Sequence, residues 1–230
     1  WSSQTADNLF VTADGYEKLI NGCYADLRSI YDSKNFKNLQ WLGTDIITQN
    51  NVISTNNINQ YTINYDSNDG SVGNLWNTLY SSLKNVNSAI GRAEKVKGLD
   101  EKILFQRVAE AKVLRALYLF HIVRNWSDAP LTLEEPKGPI TTATRTPASE
   151  IYNQILKDLN DAISILPLRQ TGKNYGRLSA SAARHLRSQV YLTRGYLSIA
   201  ETSDFQNAYN DATDVITKSG HTLLKDYKDV

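Results

Sequence analysis

The chain has 230 residues, and its 25 Lys and Arg residues balance 24 Asp and Glu residues to a formal net charge of +1. With charges this evenly balanced, the overall charge gives no reason to expect nucleic acid as a partner. A single cysteine excludes an internal disulfide and a cysteine-only zinc site, and three scattered histidines argue against a histidine cluster. We therefore expect no metal and no cofactor.

The apolar segments are too short to span a membrane. The longest apolar-rich run, residues 113–123, is about half of the ~20 residues that a spanning helix needs, and it contains Arg115 and His121. We expect no signal peptide within the given sequence, because its first residues have no basic region followed by an apolar one. Because the sequence begins at Trp1 rather than Met, we expect an N-terminal piece to precede it in the full protein.

Apolar residues recur at helical spacing in six segments, which predicts six helices. The first covers residues 12–31, with Thr12 or Asp14 as its cap. The second carries its apolar stripe over residues 75–96 and stops at Gly98.

The third predicted helix opens at Asp100 and runs to about residue 125. It is apolar on nearly every side over residues 108–123, which is typical of a helix buried by neighbours all round. The fourth follows Thr146, with Pro147 at its first position, and ends before Pro167.

The fifth helix is predicted from a Ser179 cap to about residue 199, and the sixth from an Asp204 cap to Gly220. The fold class is therefore all-α. Small residues recur on the helix faces of the later segments, as in the helical hairpins of tetratricopeptide repeats (TPR), although no 34-residue period is present. We predict a TPR-like fold.

The exception is the Asn-rich stretch of residues 37–73, which reads as a long irregular loop after the first helix, with one short strand over residues 60–65. Long ordered loops in compact domains are usually functional. Rings with a polar edge and side-chain amides suit sugar binding, although both also serve helix interfaces and turns. The candidate ligand-binding residues in this stretch are Trp41, Asp45, Asn50, Asn51, Tyr61 and Tyr65.

Trp41 and Asp45 each have a structural alternative. Trp41 is either a stacking platform or a loop anchor. Asp45 either recognises hydroxyls or caps the loop. Tyr61 and Tyr65 alternate on the predicted strand, so one face could meet a ligand.

The third helix and its exit, from Glu110 to Leu131, read EAKVLRALYLFHIVRNWSDAPL. This segment resembles the signature of the SusD/RagB family, the surface glycan-binding lipoproteins of Bacteroidetes. Ser127 replaces the customary Gly, and His121 stands where an acidic or polar residue is common. Residues 22–27, 75–90, 145–167 and 176–192 also resemble family segments, in the same order along the chain.

The resemblance implies a non-catalytic protein that binds oligosaccharide or polysaccharide at the cell surface and delivers it to a TonB-dependent, SusC-like transporter. It implies an outward-facing lipoprotein of the outer membrane, held through a lipid anchor that this chain lacks. Residues 1–230 would be the N-terminal helical domain of a longer chain whose variable C-terminal half is missing. Cys23 lies mid-helix on an apolar face and is interpreted as a core thiol.

Two other functions stay open at this point. A TPR-like scaffold could bind a protein or peptide without any affinity for carbohydrate. A glycosidase would need two spaced carboxylates, whereas Glu134 and Glu135 are adjacent and point apart. The signature itself is structural: we expect Glu110 with Arg115, or Arg115 with Asp128, to form an ion pair, or these charges to be solvated.

Overall fold

The computed structural model describes residues 6–48, 56–62, 65–66, 69–136, 138, 142–222, 225–226 and 228. These residues contain nine α-helices and two short 3-10 turns, Ala93–Lys95 and Gly172–Asn174. The helices are α1 (Ala6–Leu9), α2 (Ala13–Tyr31), α3 (Lys34–Trp41), α4 (Asn56–Gln60), α5 (Gly70–Arg92), α6 (Glu101–Trp126), α7 (Ala148–Ile165), α8 (Ala180–Arg194) and α9 (Asp204–Lys218).

The predicted all-α class is confirmed. Among the described residues there is no strand, only two isolated bridges, Thr12 with Lys97 and Ala129 with Thr146. None of the helices in this part of the chain combines the length and the apolar character that a membrane crossing requires.

The buried centre of the fold is α6. It packs against α5 on one side and α7 on the other, and α7, α8 and α9 follow as successive neighbours. Most of α6 between Ala109 and Val123 is buried, because neighbouring helices cover it on every side. Cys23 is also fully buried, as expected of a core thiol.

Three predicted caps are confirmed. The side-chain oxygens of Thr12, Asp100 and Ser179 accept hydrogen bonds from backbone amides three residues further on, at 3.1 to 3.3 Å. Each satisfies one of the amides that a helix start leaves without a partner.

The start of α7 differs from its prediction. Pro147 is the N-cap residue rather than the first helical residue. The first helical amide, that of Ala148, donates instead to Oδ1 of Asp128 at 2.9 Å. The Asp128 carboxylate therefore caps a helix that begins 20 residues later in the chain.

The boundary between α8 and α9 also differs. Helix α8 ends at Arg194, not near residue 199, and Ser203 rather than Asp204 is the N-cap of α9. The buried carboxylate of Asp204 forms a bidentate ion pair with Arg194 and accepts from the amide of Glu201. This pair spans the turn that joins α8 to α9.

The predicted ion pairs of the signature are wrong in their partners. Glu110 is fully buried and pairs with Arg107 and Arg177, and the Tyr24 hydroxyl donates to it. Arg115 pairs with Asp158 of α7. Apart from the Arg107–Glu110 pair within α6, the signature charges therefore join elements that are distant in sequence.

Candidate functional site

The Asn-rich stretch of residues 37–73 begins inside a helix, because residues 37–41 are the last part of α3. Phe36 of α3 is buried, with its ring edge-on to Tyr31 and His121 at centroid distances of 5.0 and 5.3 Å. The Gln40 amide donates to Oδ1 of Asn125 at the end of α6, at 3.3 Å. Helix α3 is thus fixed to the core by one face.

Trp41 is the last residue of α3 and stands at the edge of this anchored face. Its side chain is 49% exposed. The chain then leaves the helix through Leu42 in an extended conformation, and the Thr44 hydroxyl donates to the Trp41 carbonyl oxygen at 2.8 Å. The Trp41 ring therefore stands at the end of an anchored helix and stays half exposed to solvent.

Tyr61 lies against Gly43. Its hydroxyl donates to the Gly43 carbonyl oxygen at 3.3 Å, and its ring is 66% exposed. Gly43 has a φ of +76°, and a Cβ there would come within 2.7 Å of the Tyr61 ring. Tyr61 itself has a φ of +49°, uncommon for a residue with a side chain. Position 43 therefore requires glycine, because the Tyr61 ring packs directly against its backbone.

A second link joins the same two segments. The side-chain amide of Asn59 donates to the Thr48 hydroxyl oxygen at 3.3 Å. Ile58 of α4, the residue before Asn59, is buried. The rings of Tyr61 and Tyr65 meet edge to face, with centroids 6.2 Å apart. Burial raises the pKa of Tyr65 above its ordinary value. We refer to residues 41–48 and to residues 56–62 with 65–66 as the two arms.

The structure places four of the six sequence-predicted site residues on the two arms. It brings Tyr61 and Tyr65 together, and it holds Tyr61 close to the turn that follows Trp41. Asp45 is exposed and makes no hydrogen bond with the described part of the chain. Asn50 and Asn51 lie outside the described residues.

The predicted strand over residues 60–65 is wrong. Gln60 ends α4, and the Thr62 amide donates to the Asn57 carbonyl oxygen, closing the helix end. The two tyrosines therefore do not alternate on a pleated face. They come together because the chain turns at Tyr61.

The connection between α6 and α7 contains a cavity of about 730 Å³ that the sequence did not predict. It is lined by residues of the segments 130–136 and 142–146, and an adjoining space of about 280 Å³ reaches Tyr80, Lys84 and Asn87. A connection of about 20 residues with several prolines was the available signal.

The two adjacent glutamates of this connection have separate roles. The Glu135 carboxylate pairs with Arg92 at 2.9 Å, and the hydrogen bond to this guanidinium holds the pKa of Glu135 below its usual range. Glu134 lines the cavity. They do not form a spaced acid/base pair across a cleft.

The described core is all-α and TPR-like, and it carries exposed aromatic rings at Trp41 and Tyr61. Residues 3–192 match the SusD-like family described as starch-binding and associating with the outer membrane. The chain belongs to this family.

Two relatives from Formosa agariphila illustrate the relationship. SusD-like protein P25 is 26% identical, and the match covers 97% of this chain and 43% of that protein. SusD-like protein P2 is 31% identical, with 95% of this chain and 42% of that protein covered. The chain thus spans less than half the length of these relatives.

Solved structures share the fold. A SusD homologue from Bacteroides thetaiotaomicron superposes with a TM-score of 0.81 at 23% identity, covering 99% of this chain and 45% of that one. A SusD-like protein described as laminarin-binding gives a TM-score of 0.77 at 24% identity, with 95% and 48% covered. A structure with xylogluco-oligosaccharide gives 0.71 at 24% identity, with 91% and 42% covered.

Proposed function

We propose that this chain is part of a non-catalytic protein that binds oligosaccharide or polysaccharide at the bacterial cell surface. The observation that carries the proposal is the pair of exposed rings, Trp41 and Tyr61, on arms that are linked to each other and anchored to the core. Membership of a family described as starch-binding, and relatives of the same fold that bind laminarin or xylogluco-oligosaccharide, support the same ligand class.

The chemistry of the arms fits a sugar. An exposed ring offers an apolar face to sugar C–H groups, and its polar edge or a nearby amide meets hydroxyls. In this proposal Asp45, Tyr65, Asn50 and Asn51 supply hydrogen bonds to sugar hydroxyls. Contacts of this kind are individually weak, so the ligand can also be released.

We further propose that the whole protein is an outward-facing lipoprotein of the outer membrane that passes its ligand to a TonB-dependent, SusC-like transporter. The family description, which names association with the outer membrane, supports this location. The proposal includes no catalytic step, and Glu135 of the adjacent glutamates is held in an ion pair with Arg92.

A protein-binding scaffold without affinity for carbohydrate is the second candidate. Its support is the apolar surface exposed by α9 and the turn before it, where Tyr196, Phe205, Tyr209 and Ile216 are exposed. Exposed apolar side chains that cluster on one element are typical of protein contacts.

Native affinity electrophoresis in gels that contain soluble polysaccharides separates the two candidates. Glycan binding predicts retardation in at least one gel, and this retardation should be weaker in Trp41→Ala and in Tyr61→Ala. Tyr175→Ala is the matched control, since Tyr175 is 79% exposed but lies outside the arms. Unchanged mobility in every gel would contradict glycan binding and favour the protein scaffold.

A further inference from the structure

A concave surface lies between α7, α8 and α9, and its residues are distant from the arms in sequence. Two neighbouring cavities of about 330 and 270 Å³ share Tyr191 and Asn207 in their walls. Helix α7 contributes Asn153 and Lys157 to the first cavity, and α9 contributes Asn210 to the second. We call this surface the α7–α9 groove. Its combined size falls within the range of small-molecule sites, ~300–1,000 Å³.

Most charged side chains of the α7–α9 groove are already paired with each other. Arg187 forms a bidentate ion pair with Asp211, with both distances at 2.6 Å. Arg194 pairs with Asp204 at 2.6 Å and with Glu201 at 2.9 Å. A charged ligand would have to compete with these pairs.

The groups left free are mainly neutral. Within the described residues, the side chains of Asn153 and Lys157 and the Tyr191 hydroxyl make no hydrogen bond or ion pair, although all three line the groove. Asn207 uses one amide hydrogen on Ser203 Oγ at 3.3 Å, and its amide oxygen has no partner there. Each amide offers a donor and an acceptor, which is the pattern that a sugar hydroxyl matches.

We infer that the α7–α9 groove is a second carbohydrate subsite that takes a neutral, polyhydroxylated ligand. The inference rests on the proposed function for the class of ligand and adds a place that the arms do not include. Asn153, Tyr191 and Asn207 bind hydroxyls, and the partly buried Tyr191 ring with Leu156 forms the apolar part of the wall. A peptide is less well matched, because the groove has few apolar side chains to anchor one.

The test is a residue-resolved NMR titration of the chain with laminari-oligosaccharide and with xylogluco-oligosaccharide. Side-chain amide signals of Asn153 and Asn207 report the groove, and the indole signal of Trp41 reports the arms. Tyr191→Phe removes only the hydroxyl and should weaken binding at the groove about 2- to 10-fold, as loss of one hydrogen bond does. Tyr209→Phe is the matched control, because Tyr209 is exposed on α9 and does not line the groove.

The expected result is a saturable shift of the Asn153 and Asn207 amides that Tyr191→Phe weakens, that Tyr209→Phe leaves unchanged and that persists in Trp41→Ala. Shifts confined to Trp41 and the arms would overturn the second subsite and leave the proposed function standing. Shifts confined to the groove would support the subsite and remove the arms as the binding surface. If neither sugar moves any signal, both the subsite and the proposed function fail.

Discussion

Arg115 of α6 and Asp158 of α7 form a bidentate ion pair, with both N–O distances at 2.7 Å and both side chains buried. The remaining Nη1 of Arg115 donates to Oδ1 of Asn87 on α5 and to the Leu133 carbonyl oxygen. One guanidinium therefore joins three helices to the connection that follows α6. This is a structural role for a charged residue in the segment that resembles the family signature.

Asp158→Ala should strongly destabilise the fold. Removing one partner of a buried ion pair leaves the other charge uncompensated, at a cost of about 3–5 kcal/mol in free energy of unfolding. Asp161→Ala is the control on the same two helices, because Asp161 pairs with Lys112 at 2.7 Å but is 40% exposed. It should cost no more than about 1 kcal/mol. Urea unfolding measures both, and equal losses would contradict the assigned role.

Gly43→Ala should displace Tyr61. A Cβ at Gly43 would lie 2.7 Å from the Tyr61 ring, and the φ of +76° costs an L-residue about 1–2 kcal/mol. Gly98→Ala carries the same strain at a φ of +78° but has nothing within 4 Å. We expect both variants to lose similar stability, and only Gly43→Ala to shift the Tyr61 ring resonances and reduce retardation by polysaccharide. Unshifted Tyr61 resonances in Gly43→Ala would refute the contact.

His121 should make the fold weaker in mild acid. Burial, with a smaller effect of Arg124, lowers the pKa of His121 to about 4 from its usual value near 6.5. The unfolded chain then binds more protons than the folded chain between these values, so stability falls as the pH drops from about 6.5 to about 4. Between pH 7 and pH 5 the loss from this group is about 2 kcal/mol.

The check for His121 is urea unfolding at pH 7 and pH 5, with the imidazole followed by NMR. Tyr31 and Phe36 pack on the ring, and the Tyr31 hydroxyl contacts Nε2 at 2.8 Å. His121→Phe keeps the packing but cannot titrate, so it should lose less stability over this pH range than the unmodified chain. An imidazole that titrates near pH 6.5 in the folded chain would show the prediction to be wrong.

Cys23 should be unreactive in the folded chain. Its side chain is fully buried, and burial raises the pKa of the thiol to about 12, so almost no thiolate forms at neutral pH. A thiol reagent such as DTNB should therefore release no colour from the native chain and one equivalent in urea. Rapid reaction without denaturant would mean that α2 opens readily.

Local signals predicted the local structure well. Thr12, Asp100 and Ser179 cap the predicted helices because a short polar side chain before an apolar stripe needs only backbone amides within one turn. Helix α3 was missed because it is short and rich in asparagine and lysine, and its stability comes from Phe36 packing on Tyr31 and His121. No local pattern contains that contact.

The partners of buried charges could not be predicted, since they depend on how distant segments pack. Arg115 and Asp158 are 43 positions apart in the sequence, and Glu110 and Arg177 are 67 positions apart. The same holds for the candidate site. Sequence reasoning selected Trp41 and Tyr61, but their relationship through Gly43 depends on a turn at Tyr61 with a positive φ, which nothing in its residue type predicts.

Tryptophan fluorescence, paired with calorimetry on the same oligosaccharide, tests the central claim that Trp41 contacts bound sugar. Trp76 and Trp126 pack on each other at 5.1 Å, whereas Trp41 is half exposed. We predict an emission change on binding that disappears in Trp41→Phe while calorimetry still detects binding, because the ring face is kept. Trp41→Ala should weaken binding at least about five-fold, or about 1 kcal/mol. An emission change that survives in Trp41→Phe, with full affinity in Trp41→Ala, would contradict the account.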